Sequence, residues 1–157
     1  MNIFRKSVNK IIIDADGCPV TVIAAKIAKE NGASCTVVSD SAHVFGGERI
    51  FGAKAVVVSQ GADSADFYIV NNTNEGDIVV TQDYGLAAMC LAKKAAVINQ
   101  DGKIYSDENI GGLLERRALG KKVMRGGGRL KGPPKRKPEH NKNFEITLRS
   151  MLENAEV

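Results

Sequence analysis

Cysteine, histidine, aromatics and long apolar runs are all scarce in this chain, and each shortage closes off a class of protein. The three cysteines, Cys18, Cys35 and Cys90, form no CxxC pair and are odd in number. That argues against a disulfide framework or a zinc cluster and fits a reducing, cytoplasmic setting. No apolar stretch approaches the ~20 residues of a membrane span. The opening residues, MNIFRKSVNK, lack the apolar segment of a secretory signal. A cytoplasmic protein with no membrane partner is therefore expected.

What is present is an ordinary globular composition, 43% hydrophobic and 25% charged over 157 residues. A chain of this length forms a single domain that buries roughly two-thirds of its unfolded surface. The net charge of +4 conceals an asymmetry. Residues 116–142 hold 11 of the 22 Lys and Arg against one acid, Glu139, so this segment carries +10 and the rest −6. A basic block beside an acidic body suits a polyanionic partner, although such blocks also occur as plain solvated tails. No Phe or Tyr interleaves with it, which argues against base stacking in that segment.

The pattern predicts strands at 10–15, 34–39, 54–59 and 77–81, alternating with helices at 18–32, 63–76 and 85–95. Pro19 suits the first helical position and Gly32 the end of that first helix. Asp101-Gly102 is a hairpin signal between two short late strands. A weaker helix spans 107–124, interrupted at Gly111 and Gly112. A Gly- and Pro-rich basic loop covers 125–140, and a last helix 141–156. The fold class read from this is α/β, three-layer α/β/α, with a mostly parallel sheet, a late β-hairpin edge and a core at about 9–124.

In such a sheet ligands gather beyond the carboxyl ends of the strands. That rule assembles Asp14 and Asp16 after the first strand, Asp63 and Asp66 after the third, and Asp83 after the fourth. Five crowded carboxylates repel one another, and a hard divalent cation, Mg²⁺ or Mn²⁺, relieves that repulsion. Plain structural roles compete. Asp63 suits a helix N-cap, Asp16 a turn, and Asp40 a loop. Asp77 falls at the opposite end of the sheet and reads as structural. Thr81 and Ser59 either bond the acids or end their strands. Cys18 sits near a helix start but reads better as packing. His43 lies in a loop able to overhang the acids.

The stretch IIIDADGCPV resembles the first motif of haloacid-dehalogenase-type phosphatases, which implies Asp14 as nucleophile and Asp16 as acid/base. Ser39 or Ser59 would then supply the hydroxyl. That match decays: Cys18 stands where Thr is usual, and no Lys precedes a downstream acidic pair in register. The whole chain is more similar to the uncharacterised bacterial YaiI/YqxD (UPF0178-type) family. The likeness rests on Asp14-Ala-Asp16-Gly-Cys-Pro-Val20, Ala42-His43, Asp63 to Asp66, Gly76 to Ala87 (GDIVVTQDYGLA) and Lys131-Gly-Pro133. That family is grouped with PIN-like domains, which implies a compact α/β fold and a nuclease-like acidic site, with Asp66 as its mid-helix acid and Asp83 as its later one.

These readings combine into a Mg²⁺- or Mn²⁺-dependent phosphodiesterase acting on RNA. Asp14, Asp66, Asp83 and Asp16 form the expected catalytic set, with Asp63 added as a metal ligand. His43, Arg116, Arg117, Lys121, Lys122, Arg125, Arg129, Lys131, Lys135, Arg136 and Lys137 would contact the nucleic acid. A non-catalytic nucleic-acid or ribosome-binding module and the phosphatase are the alternatives.

Overall fold

The computed structural model describes residues 10–41, 50–61, 63–127 and 135–155. Six strands form one sheet: β1 (Lys10–Asp14), β2 (Ser34–Ser39), β3 (Lys54–Val57), β4 (Ile78–Val80), β5 (Ala96–Ile98) and β6 (Ile104–Tyr105). Their spatial order is β3-β2-β1-β4-β5-β6. The first five run parallel, and β6 pairs antiparallel with β5. Five helices accompany them: α1 (Thr21–Glu30), α2 (Ser64–Asn72), α3 (Tyr84–Ala92), α4 (Asp107–Arg125) and α5 (Pro138–Ala155).

The centre of the sheet explains its sequence. Ile11, Ile12 and Ile13 are fully buried, because β1 has neighbouring strands on both edges and apolar side chains against both faces. Alternation sends Ile11 and Ile13 to one side, against Ala24 and Ile27 of α1 and Phe144 and Leu148 of α5. Ile12 goes to the other, against Ile69 of α2, Leu86 and Cys90 of α3 and Leu113 of α4. A continuous apolar run is the expected signature of such a doubly covered strand.

Helices α1, α4 and α5 depart from the sequence expectation. The helix predicted from Cys18 begins at Thr21; residues 15–20 form a turn instead, with Cys18 N–H donating to Ala15 C=O at 3.1 Å. Pro19 therefore lies in the turn, and burial pushes the Cys18 thiol up. Helix α4 runs unbroken through Gly111 and Gly112. Ser106 and Asn109 exchange backbone-to-side-chain bonds at its start, at 3.0 and 3.2 Å, in the manner of a capping box. Leu113 then packs on the core, so capping and packing outweigh the low glycine propensity. Helix α5 starts three residues early, with Pro138 in its first turn, where a missing N–H is harmless. The basic connection is correspondingly shorter than expected.

The β5–β6 turn is held from outside. Gly102 adopts φ +85°, and a Cβ there would lie 2.7 Å from Asn143 C=O in α5. Arg136 donates to Asp101 at 2.6 Å, to Gln100 C=O at 2.8 Å and to Asn141 at 2.7 Å. One substitution should thus have opposite effects at two glycines. Gly102→Ala should destabilise the protein by roughly 2–3 kcal/mol, from the positive φ and the collision. Gly111→Ala, with open space around the added methyl, should stabilise it by about 1 kcal/mol. Urea unfolding of the two variants beside the wild type checks both signs.

Candidate functional site

Parallel strands bring their carboxyl ends to one edge, and the direction of strand succession reverses between β1 and β4. A cavity of about 300 Å³ opens at that edge, at the place where open α/β sheets bind ligands. Asp14, Asp16, Asp63, Asp66 and Asp83 all line it, so all five predicted acids are brought together. Asp40, at the end of β2, is a sixth that the sequence left as a loop residue. Its one legible signal was its position directly after a strand.

Each acid is positioned differently. Asp14 ends β1, and Thr81 Oγ1 donates to its Oδ2 at 2.8 Å. Asp16 accepts from Ser39 Oγ at 2.6 Å and from the Asp40 N–H. Asp83 is the N-cap of α3: its Oδ1 accepts from Gly85 N–H at 2.9 Å and Leu86 N–H at 3.2 Å. Capping was not among the roles expected of Asp83. Asp63 reverses that pattern. It occupies the N-cap position of α2 in a left-handed conformation, φ +71°, yet its side chain makes no capping bond, and it lines the cavity instead.

The electrostatic consequence falls on Asp14. Burial, then the charges of Asp66, Asp16 and Asp83, push its carboxyl from its ordinary 3.8 up to about 6, against the opposing Thr81 bond. Asp66 is also raised, by burial first and then by Asp83 and Asp63, with Arg117 opposing. Arg117 Nη1 stands 3.4 Å from Asp83 Oδ1. Gly85 permits this approach, since a Cβ there would lie 3.3 Å from both atoms.

The remaining basic residues divide. Arg117 joins the acids, while Arg136 is committed to the β5–β6 turn. Arg116, Lys121, Lys122 and Arg125 lie exposed on α4, and Lys135 and Lys137 are exposed before α5. His43, Arg129 and Lys131 lie outside the described residues. Among the described residues no three Asp, Glu, His or Cys side chains converge closely enough to cage a metal ion. Nor is any described helix long and apolar enough to cross a membrane.

Residues 12–154 match the family described as "Uncharacterized BCR, YaiI/YqxD family". The chain belongs to the YaiI/YqxD family. Its relatives include a UPF0178 protein of Exiguobacterium sibiricum, 45% identical over 91% of this chain and 96% of the relative. A UPF0178 protein of Natranaerobius thermophilus is 41% identical over 91% and 95%. One of Clostridium acetobutylicum is 38% identical over 94% and 99%. No solved structure matches the chain. The likeness to YaiI/YqxD proteins thus spans Asp14 at the end of β1, Asp66 in α2 and Asp83 at the start of α3.

Asp14 gives this site a testable pH signature. Its folded value lies above its unfolded one, so between about 4 and 6 the native state holds the proton more tightly. Native stability contributed by this group therefore falls as pH climbs through that window, and the penalty is complete above it. Asp14→Asn removes the charge and should stabilise the metal-free protein by about 2 kcal/mol near pH 8. The advantage should shrink towards zero near pH 4. Urea midpoints for both proteins in chelator at the two pH values decide it; a less stable variant near pH 8 would refute the charge-crowding account.

Proposed function

We propose that this chain is a divalent-cation-dependent phosphodiesterase acting on RNA, built on a PIN-like, three-layer α/β/α fold. The observation that carries the proposal is the set of six aspartates lining one cavity at the switch point of the sheet. The PIN-like reading is supported by the parallel strand order and by helices packed against both sides of β1.

The donor set fits Mg²⁺ or Mn²⁺. It is all carboxylate oxygen, and magnesium characteristically takes one or two carboxylates and keeps several waters instead of demanding a full protein cage. Asp14 uses Oδ2 towards Thr81, and the three contacts to Asp83 all fall on Oδ1. Asp14 Oδ1 and Asp83 Oδ2 lie outside those bonds, with each carboxylate oriented through its other oxygen. Of Asp14, Asp66 and Asp83, one or two would hold the cation directly, and the others, with Asp16 and Asp63, would reach it through its waters. A bound cation supplies charge that polarises a phosphoryl oxygen and acidifies water. Arg117 and the cations of α4 would hold backbone phosphates, giving sequence-independent affinity that falls steeply with salt.

The haloacid-dehalogenase-type alternative draws less support. No lysine lines the cavity among the described residues, and Asp16 is tied to Ser39 and the Asp40 amide instead of standing free as an acid/base.

Titration calorimetry of Mn²⁺ and Mg²⁺ into metal-stripped protein tests the proposal. The wild type should bind and cleave single-stranded RNA when a cation is added. Asp14→Asn/Asp83→Asn should lose both; asparagine at 83 still accepts the α3 capping bonds, so the fold should persist. Absence of cation binding even with RNA present would overturn the enzyme reading and leave a basic nucleic-acid-binding module. An aspartyl-phosphate trapped on Asp14 would establish the phosphatase.

A further inference from the structure

A second depression adjoins the acid cavity and shares Asp63, Asp66 and Asp83 with it. It is a groove of about 510 Å³ between α2 and α3, with Arg117 of α4 at its border. Its character differs from the cavity. Phe67 and Val70 of α2 face Leu86 and Met89 of α3, and Asn71 adds an amide. Phe67 is 68% exposed and Met89 45% exposed, although α2 already buries Ile69 in the core. An aromatic ring left in water immediately beside three carboxylates has no packing duty to account for it.

We infer that this groove is a nucleobase subsite, in which an unpaired base stacks on Phe67 while its phosphate lies in the adjoining acid cavity. The inference rests on the reading of that cavity as a phosphodiester site. Continuity selects the occupant: a ligand spanning both depressions must join an anionic group, cation-bound at the acids, to an apolar planar one. A nucleotide in a single strand has that construction. The base must be unpaired, because stacking on a side chain requires an exposed π-face. Phe and Met side chains cover at most a few hundred Å², well short of the ~800 Å² per partner of a stable protein interface. The stacking residue thus comes from α2 and not from the basic segment, which contains no Phe, Tyr or Trp. Val70 and the exposed Met89 form the groove's apolar borders, and Asn71 can bond a base edge.

The chain has no tryptophan, so Phe67→Trp introduces a single tryptophan at the proposed contact, excited selectively on the red edge beyond tyrosine absorption. Two hydrolysis-resistant phosphorothioate oligomers serve as probes with Mn²⁺ present, a softer cation that tolerates a sulfur ligand, one of adenosine and one abasic with equal phosphate count. The adenosine oligomer should quench the tryptophan saturably and the abasic one should not. By anisotropy of the labelled adenosine oligomer, Phe67→Ala should bind about tenfold more weakly than wild type, with the abasic oligomer unaffected. Equal binding of the adenosine oligomer by Phe67→Ala and wild type would overturn the subsite while leaving the proposed activity intact. Loss of a wild-type dimer in Phe67→Ala, seen by sedimentation, would also overturn it and assign the groove to a second copy. No binding of either oligomer would overturn subsite and phosphodiester site together. A Phe67-dependent affinity without hydrolysis of unmodified RNA would uphold the subsite and refute the catalysis.

Discussion

Asp14 closes a strand whose three preceding residues are buried on both faces, so its carboxylate is held where water solvates it poorly. The chain has no cheap way to move it. A one-residue slip of β1 would exchange Ile11 and Ile13 with Ile12 between the two cores. Burying three isoleucines gains about 1.5–3 kcal/mol each, whereas holding the Asp14 carboxyl at about 6 instead of 3.8 costs about 2–3 kcal/mol. The strand wins, and the acid is carried into place with its charge largely unanswered. The rest of the cavity inherits that imbalance, because β2 and β4 pair with β1 in register and end beside it.

Neutral donors orient these acids without cancelling them. Thr81, Ser39 and the amides of Asp40, Gly85 and Leu86 fix three carboxylates and leave their negative charge in place. Arg117 is the exception. At 3.4 Å from Asp83, with both groups partly exposed, such a pair contributes about 1 kcal/mol or less. The opposite end of the sheet supplies an internal comparison. Asp77 is fully buried there, yet Lys10 stands 2.9 Å from it and the Asn74 amide donates at 2.7 Å. The fold therefore neutralises a structural acid in a deeper place than Asp14. That the acids at the carboxyl edge are left crowded is a property of that edge, not of buried aspartates in this protein.

The sheet was legible because β-branched runs and parallel-sheet rules act locally, and the convergence of Asp14, Asp16, Asp63, Asp66 and Asp83 followed from strand polarity alone. Asp77 was correctly placed by the same rule, and Thr81 does bond the acid cluster. What escaped depended on contacts between distant segments. Continuity of α4 across two glycines needed the Ser106–Asn109 cap and the packing of Leu113. The cavity-facing role of Asp63 needed a left-handed backbone at the start of α2 with no capping bond, while Asp83, expected only as a site acid, caps α3. Asp40 required knowing that the β2 end bends towards Asp16. Phe67 carried no motif, and only its exposure between two packed helices distinguishes it from a core residue.

The separation of charges along the chain acquires a physical order from this arrangement. Phosphate and six aspartates repel, so a nucleic acid cannot approach the cavity on the strength of the cavity itself. Arg117 lies on the stripe of α4 that continues from Ile110 and Leu113 to Lys121, since residues spaced by three or four share a helix face. That stripe is apolar where α4 covers the sheet and cationic where it extends past it. Arg117 is the point of transition, touching Asp83 on one side and bordering the Phe67 groove on the other. On the proposed reading, long-range attraction by α4 would bring a polyanion to that border, and a phosphate would cross it only once a cation offset the aspartates. Under that proposal Arg117 would be the residue at which the acidic cavity and the cationic face of α4 meet.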